Sequence, residues 1–214
     1  MSGKKLLIVI PCYNEEEALP STLKRMETLM NKMLGEKLID KNSRVMFVDD
    51  GSADNTWQIL KKGVGKTPFF EALRLSRNFG HQSAILAGMF DNEADIYVTI
   101  DADLQDDPDC IVEMLQKIKA GADIVYGVRR ERSSDTWFKR VSAQAFYRLL
   151  LMLGVKIVYN HADFRMMTRR AVEQLKRFPE RNLFLRAVVP LVGFSRTACI
   201  TAARPAPPAP PNIR

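Results

Sequence analysis

Short apolar runs and longer amphipathic stretches alternate through residues 6–126 of the chain. Residues 6–10, 45–48, 72–75, 96–100 and 124–126 are β-branched or aliphatic runs of strand length. Between them, residues 16–34, 56–62, 82–91 and 108–120 repeat apolar side chains at helical spacing. Strand–helix alternation predicts an α/β fold: a mostly parallel central sheet with helices on both faces. In such sheets ligands sit at the carboxyl ends of the strands.

A polar cluster follows each run. These are Pro11-Cys12-Tyr13-Asn14-Glu15, Asp49-Asp50-Gly51-Ser52-Ala53-Asp54, Ser76-Arg77-Asn78-Phe79-Gly80, Asp101-Ala102-Asp103 and Gly127-Val128-Arg129-Arg130-Glu131-Arg132. Five clusters on one sheet edge favour a site over five ordinary loops. In an extended chain Asp101 and Asp103 point the same way. Their charges repel unless a cation lies between them, and Mg²⁺ or Mn²⁺ takes such oxygen ligands, often shared with phosphates. The competing reading is a solvated acidic turn leading into the helix that starts near Pro108, and both stand at this point. Asp49 and Asp54 equally suit turn and helix-cap work.

Charge divides the chain. Residues 1–110 carry 13 Lys+Arg against 18 Asp+Glu, and residues 111–214 carry 19 against 7, so a half at −5 and a half at +12 make up the net +7. That division suits a cation on one side and phosphates on the other. No zinc-finger spacing, RNP-like aromatic motif or recognition helix accompanies the basic half, so nucleic acid is not an expected partner. Dinucleotide-fold, P-loop and nucleophile-elbow motifs are absent, and His81 and His161 lack metal-ligand spacing. Cys12, Cys110 and Cys199 form no disulfide framework, which fits a reducing compartment. A hydrophobic content of 46% excludes global disorder. The first apolar run is too short for a signal peptide. No uncharged apolar stretch reaches the ~20 residues of a membrane span; residues 149–158 and 183–194 are interrupted by Lys156 and Arg186. Carboxylates, an Asp-rich turn and several arginines together suit a nucleotide diphosphate held through a divalent metal, with Arg forks for phosphate.

Residues 11–15, the Asp49-Asp50-Gly51-Ser52 turn, Asp101-Ala102-Asp103-Leu104-Gln105-Asp106 and the later Ala162-Asp163-Phe164-Arg165 resemble the family-2 inverting glycosyltransferases of the GT-A fold. More narrowly they resemble the polyprenyl-phosphate type, that of dolichol-phosphate mannose synthase and the bactoprenol glucosyltransferases. The resemblance runs from about residue 6 to residue 194. It implies metal-dependent transfer of a hexose, with glucose expected, from a nucleotide-diphosphate sugar, with UDP expected, to polyprenyl (undecaprenyl) phosphate. By the same resemblance Pro11, Tyr13, Glu15, Asp50 and Asp101 hold the sugar nucleotide. Asp101, Asp103 and Gln105 take the Mg²⁺ or Mn²⁺, and Arg129, Arg132 and Arg165 meet the acceptor phosphate or the donor diphosphate. Asp163, the usual base candidate, and Asp103 are the catalytic pair it implies. Glu180-Arg181-Asn182 resembles a further family segment. An acceptor phosphate has a second pKa of about 6 and is mostly deprotonated at neutral pH, so it needs positioning more than proton removal.

Residues 136–154 read as an amphipathic helix, with Trp137, Phe138, Val141, Ala145, Leu149 and Met152 at helical spacing. Core packing and an interfacial role are both open to it. The family continues past this point with further motifs and transmembrane helices, whereas residues 198–214 are Pro/Ala-rich and hold five of the chain's eleven prolines from Pro205 to Pro211. The expected division is therefore a catalytic domain over residues 1–197 and an unfolded or polyproline-like tail over 198–214. A shifted reading frame would account for such an ending, and the underlying DNA would decide it. The expected location is the cytoplasmic face of the membrane, peripheral as the chain stands, with a membrane partner or a second copy of the chain as possible company. Two alternatives accompany this reading. One is a weakly active or non-catalytic nucleotide-sugar-binding component of a membrane glycosylation system. The other is a family-2 enzyme acting on a soluble saccharide.

Overall fold

The computed structural model describes residues 3–129, 161–180 and 183–201. The expected helix over 136–154, Arg132, Arg181, Asn182 and the chain after Thr201 lie outside the described residues. Seven strands form one sheet: β1 (Leu6–Cys12), β2 (Arg44–Asp49), β3 (Phe70–Arg74), β4 (Ile96–Thr99), β5 (Ile124–Arg129), β6 (His161–Thr168) and β7 (Arg196–Thr201). Their order is β3-β2-β1-β4-β6-β5-β7. Only β6 runs antiparallel to its neighbours, β4 and β5; every other pairing is parallel. The helices are α1 (Leu19–Gly35), α2 (Thr56–Val64), α3 (His81–Phe90), α4 (Cys110–Lys119), α5 (Arg169–Leu175) and α6 (Leu185–Val188). Among the described residues no helix is long and apolar enough to cross a membrane.

The alternation in β1 shows why its apolar run is continuous. Leu6, Ile8 and Ile10 join one core cluster with Met26 and Met30 of α1, Leu60 of α2 and Met114 of α4. Leu7 and Val9 join the other, with Ala84, Ile85 and Met89 of α3 and Val172 of α5. Each fully buried aliphatic side chain of this kind contributes about 1.5–3 kcal/mol. Pro11 lies beyond the last β1–β4 pair, Val9–Thr99. Cys12 O accepts from Asp50 N, just past β2, and Val9 O from Ile100 N, so Pro11 takes the alternate position, which faces β4. Its missing N–H therefore breaks no ladder bond.

Two glycines set the approach of elements to the site edge. A Cβ at Gly88 would stand 2.6 Å from Val9 Cγ1 and 2.9 Å from Val48 Cγ2, so α3 lies close on β1 and β2. Gly51 has φ +70, and a Cβ there would stand 2.5 Å from the Arg77 carbonyl carbon. Gly51→Ala should destabilise the domain by about 1–3 kcal/mol through backbone strain and overpacking. Equilibrium urea unfolding measures this; an unchanged midpoint would show that the turn after β2 relaxes freely.

The five expected strands and four expected helices are present, with ends shifted by a few residues. Four of the named elements were not expected: β6, α5, α6 and β7. Strand β7 pairs with β5 through Thr201, so the sheet continues four residues past the expected domain boundary at 197.

Candidate active site

The carboxyl ends of β1, β2, β3 and β4 meet at a cleft of about 310 Å³. Pro11, Tyr13 and Glu15 line it from the β1 end, Asp50 from β2, Asn78 from β3, Asp101 and Asp103 from β4, and His81 from the start of α3. Four of the five polar clusters thus converge. Of the fifth, the structure describes only residues 127–129, the end of β5, and Arg129 only by its backbone.

The first two loops are laced together by side chains. Ser52 Oγ accepts from Asn14 N (3.0 Å), Thr56 Oγ1 from Glu15 N (2.8 Å) and Asp54 Oδ2 from Glu16 N (3.1 Å). Asp54 Oδ1 accepts from Thr56 N at the start of α2, the cap role open to it from sequence. Asp49 is fully buried; its Oδ1 accepts from Ser52 N (3.1 Å), which is turn work, and its Oδ2 pairs with Arg74 at 3.0 Å. Asp50 is also buried, and its two oxygens accept from Phe79 N (2.7 Å) and Gly80 N (2.8 Å). Its carboxylate therefore clamps the loop that delivers His81 and Asn78 to the cleft.

Strand β4 ends at Thr99, so Asp101 and Asp103 lie in a turn and not in an extended strand. Leu104 in that turn has φ +48, an uncommon left-handed conformation for a non-glycine residue. Ala102 O accepts from Thr22 Oγ1 of α1 at 2.5 Å and fixes the turn. Both carboxylates still line the cleft. Asp101 Oδ1 is buried with no hydrogen-bond partner; His81 Nε2 stands 3.5 Å from it. Burial, opposed by His81 and reinforced by Asp163, Asp103 and Asp106, raises the Asp101 carboxyl above its ordinary range. Burial, with Asp103, Asp101 and Asp54, raises Glu15 as well. A cation would relieve this crowding of negative charge. Gln105 donates from Nε2 to Asp103 Oδ2 at 2.7 Å and so braces that carboxylate. Among the described residues no three His, Cys, Asp or Glu side chains converge on a metal position. The expected trio of Asp101, Asp103 and Gln105 is thus a carboxylate pair with a brace, and an ion there would complete its shell from donor oxygens.

Asp163 stands behind this pair, on β6. Its Oδ1 pairs with Arg165 of the same strand, its Oδ2 lies 3.3 Å from Arg186 Nη2 of α6, and His81 Nε2 is 3.5 Å away. Burial alone would raise its carboxyl; the His81 hydrogen bond and the Arg165 and Arg186 charges outweigh burial and hold it well below the usual carboxylate range. Arg165 is 0% exposed, so it supports Asp163 from inside the sheet and does not line the cleft, contrary to the expected phosphate contact. The side chains of Arg129 and Arg132 lie outside the described residues. Sequence reasoning missed His81 and Arg186. The available signal was a lone histidine in the cluster after the third strand and a lone arginine interrupting an apolar stretch.

Residues 7–176 match the family described as glycosyl transferase family 2. The chain belongs to this family. It is 48% identical over 191 residues to the uncharacterized glycosyltransferase YkoT of Bacillus subtilis, covering 88% of this chain and 57% of that protein. It is 37% identical over 190 residues to the bactoprenol glucosyl transferase of Shigella phage SfX, covering 88% of this chain and 60% of that protein. The chain therefore spans less than two thirds of the length of these relatives. Among solved structures it resembles the Pyrobaculum calidifontis mannosyltransferase PcManGT in complex with GDP-Man and Mn²⁺, at TM-score 0.64 and 16% identity over 94% of this chain and 56% of that one. The Staphylococcus aureus TarS 1–349 complex with UDP-GlcNAc gives TM-score 0.60 at 15% identity, over 95% of this chain and 60% of that one. These neighbours confirm the GT-A architecture expected from the family-2 motifs.

Proposed function

We propose that this family-2 domain transfers a hexose, glucose, from UDP-glucose to polyprenyl phosphate at the cytoplasmic face of a membrane. The observation that carries the proposal is the Asp101 oxygen, buried without a hydrogen bond and lining the cleft with Asp103 and Glu15, with the twice-paired Asp163 also within reach of His81. Such a centre suits a sugar diphosphate that brings a divalent cation, and relatives named bactoprenol glucosyl transferase support the lipid-phosphate acceptor. Bound between Asp101 and Asp103, Mg²⁺ or Mn²⁺ would supply Lewis-acid assistance to the leaving diphosphate.

This chain's own residues have other tasks. Pro11, Tyr13 and Glu15 form the wall for base and ribose, and Asp50 holds the opposite loop against them. The anionic acceptor oxygen attacks the anomeric carbon as the bond to the diphosphate breaks, which inverts that centre. Asp163, already engaged by two guanidinium groups and by His81, is a poor proton acceptor and orients its neighbours. UDP release should require both Mn²⁺ or Mg²⁺ and a short polyprenyl phosphate, and EDTA should stop it. Tested across UDP- and GDP-sugars, donor binding without acceptor-dependent release would favour a nucleotide-sugar-binding component instead.

A further inference from the structure

The cleft is acidic where phosphates must react. Glu15, Asp101 and Asp103 line it, and His81 is the one basic side chain among its lining residues. Arg186 also meets Asp163: its Nε and Nη2 lie 3.4 and 3.3 Å from the two Asp163 oxygens, and its Nη2 shares Oδ2 with His81 Nε2. Arg165, wholly buried, already neutralises Asp163 from within the sheet. One carboxylate thus meets two guanidinium groups, and the second charge is surplus to it. Arg186 carries that surplus at the surface: its side chain is 46% exposed, against 0% for Arg165. An arginine half in solvent, with its fork held by a buried carboxylate, is preorganised to receive an anion.

Resting on the acceptor reading above, we propose that Arg186 positions the acceptor's phosphate beside Asp163. Asp163 holds the Arg186 fork in place, and His81 Nε2, 3.5 Å from both Asp101 and Asp163, marks the boundary between donor and acceptor sides. The acceptor phosphate then lies against the arginine and away from the carboxylates that suit the donor's metal. Arg186 is a positioning residue, since it fixes the nucleophile without exchanging a proton.

The test uses the full chain and calorimetric binding of farnesyl phosphate, with farnesol as the uncharged control and UDP titrated separately. Arg186→Ala should weaken farnesyl phosphate binding, and raise its KM, by roughly tenfold or more, the scale of a lost charge-assisted hydrogen bond. UDP affinity should stay within about twofold, and Arg186→Lys should recover part of the loss because it keeps the charge without the fork. A purely structural role would lower the melting temperature and weaken both ligands together, overturning the proposal. Farnesyl phosphate binding that survives Arg186→Ala overturns it alone. A wild-type protein that binds farnesyl phosphate no better than farnesol overturns the acceptor reading and this proposal with it.

Discussion

Asp101→Asn should lower turnover by roughly 10²–10³-fold, the usual cost of removing one preorganised electrostatic contact at a developing charge. The same substitution should raise the melting temperature of the metal-free protein at neutral pH. Asp101 Oδ1 is buried without a hydrogen bond, and its carboxyl is raised mainly by burial. A carboxyl with a raised folded pKa binds its proton more tightly in the native state. Its destabilising effect is therefore absent below the unfolded value of about 3.9 and grows as pH rises through the folded value. Asparagine removes the charge and keeps the shape. A gain of about 1 kcal/mol would appear as roughly 2–4 °C in a domain of this size. Melting curves with EDTA at pH 7 and pH 4 check this, because the advantage should vanish at the lower pH. An Asp101→Asn protein that is less stable at pH 7, or equally active, would show that this carboxylate is satisfied or remote from the reaction. Gain in stability with loss of activity is the signature of a group kept for function against the fold's interest.

How far such a site could be seen in advance depends on what each element buries. Strands β1, β2 and β4 are covered on both faces and keep their aliphatic runs, so they stand out in the chain. Strand β6, His-Ala-Asp-Phe-Arg-Met-Met-Thr, does not, because it carries a buried ion pair into the middle of the sheet. A buried Arg in a central strand breaks the pattern from which strands are read, and only the partner Asp163 makes it tolerable. The short β7 alternates exposed and buried positions and runs into proline-rich sequence, so it reads as tail. The acidic motif was legible as a site but for an incomplete reason. Same-face alternation in a strand does not bring Asp101 and Asp103 together; a turn with Leu104 in a left-handed conformation does. His81 and Arg186 were invisible because their meaning comes from Asp163, which is distant from His81 in the chain and joins Arg186 only through the packing of α6.

Asp163→Asn should show the opposite pH behaviour to Asp101→Asn. The His81 hydrogen bond and the charges of Arg165 and Arg186 hold the Asp163 carboxyl well below its ordinary value despite burial. A depressed folded pKa gives stability that is fully present above the unfolded value of about 3.9 and is lost as pH falls through the folded value. The substitution removes the charge that neutralises the fully buried Arg165, one of whose nitrogens, Nη1, already has no hydrogen-bond partner. Breaking a buried pair from one side typically costs about 3–5 kcal/mol. Chemical denaturation at pH 7 should show a loss of that order, and the gap from wild type should narrow below about pH 4 as the native carboxylate itself becomes protonated. Turnover should fall yet remain measurable at temperatures where the variant is folded, because asparagine can still hydrogen-bond Arg186 and the acceptor oxygen is already anionic. Full loss of transfer in a folded Asp163→Asn protein that still binds UDP would instead make Asp163 the proton acceptor. That outcome would require it to work as a base from a position where two guanidinium groups and the His81 hydrogen bond oppose its protonation, so the pH–rate profile decides between the roles. A positioning Asp163 leaves the acid limb of the profile to the acceptor phosphate near pH 6. A basic Asp163 would set that limb well below pH 4, where its own carboxyl titrates.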